Sequence, residues 1–184
     1  MKLNFKRVKT GSPEARRSKA LYSRAFPDDE RAPFLMLLLK SRRKSVDFWS
    51  VSCEGQWAGF IYVVNSADLS YVFYLAVTEE QRGKGIGSGI LKSVQQLYKG
   101  RRLFLAIEQI DEDSENYQER VNRKNFYLRC GFKELHRKLR EGVVTYDILG
   151  IGGDVTAKEY KKLMTDYAGK VLSRVFTMEF VDTE

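Results

Sequence analysis

A glycine-rich segment near the middle of the chain holds the residues best suited to chemistry. Gln81–Gly89 reads QRGKGIGSG and lies between an apolar run, Tyr71–Val77, and an amphipathic segment that starts at Ile86. This pattern predicts a strand, a loop and a helix in that order. The first N–H groups of a helix lack backbone partners and carry a partial positive charge, so they can hydrogen-bond phosphate oxygens. The segment therefore predicts an anion site that suits a diphosphate.

The composition of this loop supports the same prediction. Glycine occupies every second position from Gly83 to Gly89, which removes Cβ atoms that would block a ligand and permits positive φ. Arg82 and Lys84 add two side-chain cations. A Walker loop requires GxxxxGK followed by Ser or Thr, and a dinucleotide fingerprint requires GxGxxG. The segment satisfies neither pattern.

Two motifs together resemble the GNAT superfamily of N-acyltransferases. Arg82, Gly85 and Gly87 form RxxGxG directly after a predicted buried strand, as in the acyl-CoA pyrophosphate loop of that family. Farther on, Phe126–Phe132 reads FYLRCGF and resembles the second signature, a helix that carries a tyrosine and ends in Gly-Phe before a strand. The resemblance covers most of the chain up to about Leu149.

The resemblance implies an α/β (α+β) fold. The expected architecture is GNAT-like and mixed: a mostly antiparallel central sheet with a parallel splayed strand pair and helices on both faces. Residues 1–150 are expected to form the GNAT-like acetyltransferase domain. Residues 151–184 are expected to form a C-terminal helix-strand extension, either packed on that domain or exchanged from it.

The chemistry implied by the resemblance is transfer of an acetyl group from acetyl-CoA to a primary amine, by direct attack in a ternary complex and without a metal. The strand before the loop is expected to contact the pantetheine arm and the oxyanion, although the small Ala76 also suits ordinary strand packing. The expected cofactor-binding residues are Leu75, Ala76, Val77, Arg82, Gly83, Lys84, Gly85, Ile86, Gly87 and Ser88.

Three residues are candidates for proton transfer. Tyr127 is the expected acid, since a phenol with a pKa near ~10 stays protonated at neutral pH and can donate to a thiolate; the alternative is a core aromatic. Glu108 ends a predicted strand beside the acceptor cleft and is one candidate base. Glu30, between two early helices, is the other. Each carboxylate could instead be solvated or salt-bridged.

Local patterns place these residues on a succession of elements. Strands are expected at Leu3–Val8, Val46–Cys53, Trp57–Asn65, Leu69–Val77, Leu103–Ile107, Val143–Leu149 and Val171–Val181. Helices are expected from Pro13 to about Phe26, from Phe34 to about Ser41, from Ile86 to before Gly100, through Tyr127, and from Thr156 to about Tyr167. By the crossover rule, the strand after the glycine loop's helix should run parallel to the strand before the loop.

Composition narrows the function classes. The chain has 184 residues, a net charge of +8, two cysteines without metal or redox spacing, and one histidine, His136. One histidine and two separated cysteines are too few to favour a zinc site or a Ser-His-Asp relay. The absence of a long apolar run or signal-like N-terminus predicts a cytoplasmic protein that does not insert into membranes. Nucleic acid has little support, because no basic stripe with interleaved aromatics stands out.

The acceptor and the alternative function stay open at this level. The acceptor could be a small molecule or a peptide amine, and an acidic stretch from Glu108 to Glu119 without basic residues could attract a cationic one. GNAT relatives often pair, which allows a homodimer. The alternative function is a non-catalytic acyl-CoA-binding sensor or interaction module.

Overall fold

The computed structural model describes residues 1–28, 31–141, 144–169 and 178–182. The strands are β1 (Leu3–Arg7), β2 (Val46–Cys53), β3 (Gln56–Ser66), β4 (Leu69–Val77), β5 (Arg102–Glu108), β6 (Lys133–Glu141), β7 (Val144–Ile151) and β8 (Met178–Asp182). The helices are α1 (Pro13–Ala25), α2 (Phe34–Lys40), α3 (Ile86–Leu97), α4 (Tyr117–Arg129) and α5 (Ala157–Ala168). The strand order in the described sheet is β1-β2-β3-β4-β5-β7-β6-β8.

The chain divides into two compact units. The first comprises Met1–Asn65 and Val72–Leu97, and the second comprises Ser66–Tyr71 and Tyr98–Glu184. The boundary falls within β4, so each unit includes part of that strand. The predicted border near residue 150 stays a prediction, although the second unit contains residues on both sides of it.

The first unit is built on antiparallel strands and an aromatic core. β1 pairs with β2, and β2 pairs with β3, both antiparallel. Helix α1 begins where the sequence predicts, because the Ser12 hydroxyl accepts the Ala15 N–H at 3.1 Å and Pro13 follows the cap. Four aromatic side chains of this unit are at most 2% exposed: Tyr22, Phe48, Phe60 and Tyr62. Burial of such large rings stabilises this unit.

One glycine in this unit is fixed by a close approach of two strands. A Cβ at Gly59 of β3 would lie 2.1 Å from the Ala76 carbonyl oxygen of β4. A register shift occurs between Val51 and Ser52 of β2, opposite the same part of β3. Any side chain at position 59 would therefore displace the end of β4, which leads into the glycine loop.

The second unit contains the parallel strand pair. Leu69–Tyr71 of β4 pairs with Arg102–Phe104 of β5 in parallel. The rings of Tyr71 and Phe104 stack at 4.7 Å. From Leu103 to Glu108, β5 also pairs antiparallel with β7. Parallel pairing is thus confined to the first three residues of β4.

The remaining strands of this unit are antiparallel, and its last helix has a complete N-terminal cap. β7 pairs with β6, and β6 pairs with β8. Helix α5 starts with the predicted capping box, in which Thr156 and Glu159 satisfy each other's backbone N–H groups. The predicted strand at Val171–Val181 is described from Met178 onward; residues 170–177 lie outside the described part of the chain, as does Val143.

These pairings confirm the predicted fold class: a mixed, mostly antiparallel sheet with one parallel pair and flanking helices. Among the described residues, no helix has the length and apolar character needed to cross a membrane.

Candidate active site

The glycine loop connects β4 to α3 and forms as the sequence predicts. After Val77 the chain makes one turn of 3₁₀ helix at Glu79–Gln81 and then a loop to Gly85. Gly83 and Gly85 adopt φ of +73° and +74°, and a Cβ on either residue would meet no neighbouring atom within 4 Å. Glycine is therefore required here by backbone conformation, not by crowding within the loop.

The loop leads directly into the first turn of α3. The Gly89 N–H donates to the Gly85 carbonyl at 2.9 Å. The N–H groups of Ile86 and Gly87 precede that bond and belong to the turn that has no intrahelical partners. Ile86 is 2% exposed and anchors the helix in the core, while Lys84 and Gly85 are exposed. Gly87 is half-buried, so an anion at the helix start can reach its main-chain N–H.

The two cations of the loop differ in their constraints. Arg82 Nε donates to the Val77 carbonyl at 3.2 Å, which ties its side chain to the end of β4. Lys84 forms no ion pair within the described residues. Both side chains are exposed, so each can contribute charge to a bound phosphate.

Gly89 has a packing role that the sequence did not indicate. A Cβ there would lie 2.5 Å from Met1 Cε and 3.0 Å from Leu3 Cδ1. The sequence had grouped Gly89 with the glycines that open the loop to a ligand. Its absence of a side chain instead allows α3 to pack against the N-terminal residues and β1.

Leu75, Ala76 and Val77 at the end of β4 alternate in burial, as expected for a strand with one face in the core. Ala76 is 5% exposed, whereas Leu75 and Val77 are half-buried. The Ala76 carbonyl lies against Gly59 of β3. Ordinary strand packing accounts for Ala76, and the contact of Leu75–Val77 with a pantetheine arm stays a prediction.

Tyr127 lies near the end of α4, where the predicted glycine stop is present. Gly131 has a φ of +88°, and the Phe132 N–H donates to the Tyr127 carbonyl at 3.2 Å. The Tyr127 ring centroid is 5.0 Å from that of Phe126 and 5.8 Å from that of Phe132. Within the part of the chain that the structure describes, the Tyr127 hydroxyl has no hydrogen-bond partner.

The environment of this phenol makes it a weaker acid than the sequence suggested. Burial raises the pKa of Tyr127 to about 12, while the nearby Arg123 acts to lower it. The side chain therefore stays protonated at neutral pH. Against a thiol of pKa ~8.5, complete proton transfer to the thiolate is uphill by roughly 5 kcal/mol at ~1.4 kcal/mol per unit. Donation of a hydrogen bond carries no such cost.

Glu108 is held by two arginines of α4. Its carboxylate is 2.9 Å from Arg120 Nη2 and 3.6 Å from Arg123 Nη1, and its side chain is 11% exposed. Arg120 also donates to the Gln109 carbonyl at 2.8 Å. Glu108 is therefore salt-bridged, which was the alternative to its role as a base. The structure gives no direct support for a free carboxylate at this position.

The two arginines were not singled out from the sequence. Arg120, Arg123 and Tyr127 follow the spacing i, i+3, i+7, which places them on one face of a helix. The spacing can be seen in the sequence. The partner of both arginines, Glu108, lies on another element, so only the folded structure brings it to them.

Glu30, the other candidate base, lies outside the described residues. The segment that follows it is tied to the core: the Ala32 carbonyl accepts from the Tyr22 hydroxyl at 3.0 Å, and the Ala32 N–H donates to the Tyr74 hydroxyl at 3.3 Å. Arg31 also pairs with Asp28.

The acidic stretch after Glu108 is a solvent-exposed turn. Asp111, Glu112, Asp113 and Glu115 are all exposed. The Ser114 hydroxyl donates to the Asp111 carbonyl at 2.6 Å, and the Asp113 N–H donates to the Asp111 carboxylate at 3.1 Å. These bonds give the turn a local conformation, and attraction of a cationic amine by it stays a prediction.

Comparison with known proteins agrees with the fold and the loop. Residues 44–134 match the family model described as the acetyltransferase (GNAT) domain. A comparison with curated proteins finds no match. Among solved structures, a protein described as a GNAT-family acetyltransferase from Bacteroides thetaiotaomicron is 19% identical, with a TM-score of 0.68 over 92% of this chain and 98% of that one.

Two further solved structures have named activities. An aminoglycoside 6'-N-acetyltransferase complexed with coenzyme A is 11% identical, with a TM-score of 0.62 over 80% of this chain and 96% of that one. The ribosomal-protein-S18-alanine N-acetyltransferase from Escherichia coli is 15% identical, with a TM-score of 0.62 over 85% and 97%. At these identities the likeness is one of fold. The matched segment and the fold together place this chain in the GNAT superfamily of acetyltransferases.

Proposed function

We propose that the chain moves an acetyl group from acetyl-CoA to a primary amine by direct attack in a ternary complex. The observation that carries the proposal is the loop between β4 and α3, where Gly83 and Gly85 take left-handed conformations and lead into the first turn of α3, whose Gly87 is half-buried. A site of this kind suits the pyrophosphate of coenzyme A. A coenzyme A complex is known for a structure of the same fold, the aminoglycoside acetyltransferase.

The roles divide among residues already described. The loop from Arg82 to Ser88 holds the pyrophosphate, and the backbone of Leu75–Val77 receives the pantetheine arm and the developing oxyanion. The amine nitrogen attacks the thioester carbon, the carbon–sulfur bond breaks, and the electron pair goes to sulfur. Tyr127 donates a hydrogen bond to that sulfur. The amine must lose a proton to attack; Glu30 or water can accept it, since Glu108 is paired with Arg120 and Arg123.

The acceptor is an amine whose identity is open. Two structures of the same fold are described as an aminoglycoside 6'-N-acetyltransferase and a ribosomal-protein-S18-alanine N-acetyltransferase. Both descriptions name N-acetylation. The proposal therefore covers a small-molecule amine and a peptide N-terminus, without choosing between them.

The test has two independent parts. Calorimetric titration of the purified chain with coenzyme A should show saturable binding at one site. A thiol-release assay with acetyl-CoA and a panel of aminoglycosides, polyamines and N-terminal peptides should then identify an acceptor. Binding of coenzyme A without turnover on any amine would favour the acyl-CoA-binding module instead. Absence of any binding heat, confirmed by an unchanged melting temperature with coenzyme A, would contradict both functions.

A further inference from the structure

The face of α4 that carries Tyr127 also carries three cations. Arg120, Arg123 and Lys124 precede Tyr127 by seven, four and three residues, spacings that make them neighbours along one side of a helix. α4 contributes no fully buried side chain, and Arg120 and Lys124 of this face pair with carboxylates of β5, β6 and β7.

The three cations are fixed to different degrees. Lys124 is 2.8 Å from Glu134 of β6 and 3.4 Å from Asp147 of β7, so its charge is neutralised. Arg120 bonds to Glu108, to the Gln109 carbonyl and to Asn116. Arg123 differs from both. Its one charged partner in the described part of the chain is Glu108 at 3.6 Å, and its side chain is 40% exposed.

We propose that Arg123 is a positioning residue for Tyr127 and that Glu108 acts through Arg123 rather than as a general base. This inference rests on the proposed acetyl transfer. Glu108 bridges Arg120, which is held by three groups, and Arg123, which is held by one. Arg123 precedes Tyr127 by four residues, so the two positions lie one turn apart on the same side of α4.

Arg123 acts when the thiolate leaves. As the carbon–sulfur bond breaks, its electron pair goes to sulfur, and the O–H proton of Tyr127 moves toward that sulfur. Negative charge then develops on the phenol oxygen, and the guanidinium of Arg123 stabilises it. The proton that the attacking amine loses to water restores the phenol after product leaves, so no oxidant or further reactant is needed.

Two groups act on the phenol: Arg123 of α4 favours the phenolate, and the thiol of Cys130, just after α4, opposes it. The carboxylates that contact α4 from the sheet are already paired. On β5, Glu108 is paired with both arginines. On β6 and β7, Glu134 and Asp147 are paired with Lys124. Arg123 is thus the cation whose removal should change the phenol most.

The first measurement needs no substrate. Tyr127 is replaced by 3-fluorotyrosine, and the fluorine chemical shift of the folded, full-length chain is titrated with pH. In Arg123→Gln the probe's pKa should rise by roughly one unit, a tenfold change in proton affinity. Arg123→Lys should restore most of the difference. Arg129→Gln is the control, because Arg129 is exposed at the end of the same helix and has no ion-pair partner among the described residues.

The second measurement uses the acceptor found by thiol release. Arg123→Gln should lower kcat by roughly tenfold or more while the KM for acetyl-CoA changes little, and Arg123→Lys should recover activity. Glu108→Gln should retain the acidic limb of the kcat/KM–pH profile, because the carboxylate is not the base. Loss of that limb in Glu108→Gln would overturn its assignment as a positioning residue.

The outcomes separate this inference from the proposed function. A probe pKa that is the same in Arg123→Gln and Arg129→Gln would overturn the role of Arg123, whether or not an acceptor is known. Failure of coenzyme A to bind would contradict the acetyl transfer itself. A raised probe pKa in Arg123→Gln that Arg123→Lys reverses would support the inference even before a substrate is identified.

Discussion

The side chain of Tyr127 is half-buried, and its hydroxyl has no hydrogen-bond partner in the part of the chain that the structure describes. Its pKa rises to about 12, with burial as the main cause. The hydroxyl oxygen keeps some exposure to solvent. A substrate atom can therefore reach the phenol and accept its hydrogen bond.

Replacement of Tyr127 by Phe should lower kcat by roughly 10²-fold, the scale of one positioned acid, with a smaller change in KM. Because the pKa is about 12, the wild-type rate should show no alkaline fall from this residue below about pH 11. Thiol-release kinetics across pH measure both quantities. Tyr117→Phe, on the same helix, serves as the control, and equal kcat values for Tyr127→Phe and wild type would exclude the acid role.

Two glycines allow backbone strain to be separated from ligand binding. Gly85 and Gly100 have φ of +74° and +85°, and a Cβ at either would meet open space. Gly85→Ala and Gly100→Ala should each lower the free energy of unfolding by about 1 kcal/mol, from the left-handed conformation alone. Gly85→Ala should also raise the Kd for coenzyme A by roughly tenfold, because the loop must rearrange, whereas Gly100→Ala should leave it unchanged. Chemical denaturation and calorimetry decide between these results.

At the scale of elements, helix α5 is joined to the sheet by a charged cluster of the second unit. Arg102 of β5 lies 2.8 Å from Asp68 and 2.6 Å from Glu159, and it donates to the Asp154 carbonyl at 2.7 Å. Arg137 of β6 lies 2.6 Å from Asp154. Two strands are thereby connected to the segment that enters α5.

Glu159 makes this cluster sensitive to acid. Hydrogen bonds from Arg102, and then from Thr156, lower the pKa of Glu159 from 4.5 to about 2. The depressed folded-state pKa means that the carboxylate contributes stability above about pH 4.5 and loses it as pH falls toward 2.

Glu159→Gln should therefore lower the free energy of unfolding at pH 7 by about 1 kcal/mol, a value limited by solvent screening of a partly exposed pair. The difference from wild type should shrink as pH falls from 4.5 to 2. Denaturant unfolding at several pH values measures it. Glu119→Gln, in the first turn of α4, is the matched control, and a pH-independent difference for Glu159→Gln would contradict the linkage.

The sequence predicted elements well where a local pattern was enough. The strand Leu69–Val77 is a continuous apolar run, the start at Ile86 follows glycines, and the box of Thr156 with Glu159 opens α5; all three are confirmed. Local patterns carry no information on which strands are neighbours. The position of β7 between β5 and β6 depends on pairing between distant segments and was not predicted.

The same reasoning explains what was missed at the candidate site. The glycine loop was found because its residues are consecutive. The bridge from Glu108 to Arg120 and Arg123 was not found, because its members lie on a strand and a helix separated by the acidic turn. Gly89 was grouped with the loop glycines that leave room for a ligand, because the side chains that explain it, Met1 and Leu3, lie far away in the sequence.

At the scale of the whole molecule, the net charge is unevenly divided between the two units. The first unit holds 16 Lys and Arg against 8 Asp and Glu, so the chain's net charge of +8 belongs to it. The second unit holds 16 of each sign. The glycine loop lies in the first unit. An anion that approaches this unit therefore meets a favourable long-range field.

Association of coenzyme A should consequently slow as salt is added. The Debye length falls from ~10 Å at ~0.1 M to ~3 Å at ~1 M ionic strength, so the association rate should fall severalfold over that range. Stopped-flow measurements of binding give the rate directly. Pantetheine, which lacks the phosphates, is the control and should show little dependence on salt. An association rate for coenzyme A that is insensitive to salt would show that the field of this unit does not guide the ligand.

β1 has a consequence for self-association. It ends the described strand order on its side of the sheet, so one row of its backbone groups has no neighbouring strand in the described part of the chain. An unpaired edge strand can pair with a strand of another molecule and, at high concentration, can cause aggregation. Two cations of this short strand are paired within the chain, Lys6 with Glu14 and Arg7 with Asp47, and the Lys6 side chain is 70% exposed. Charged side chains along such an edge disfavour strand-to-strand joining of two copies there.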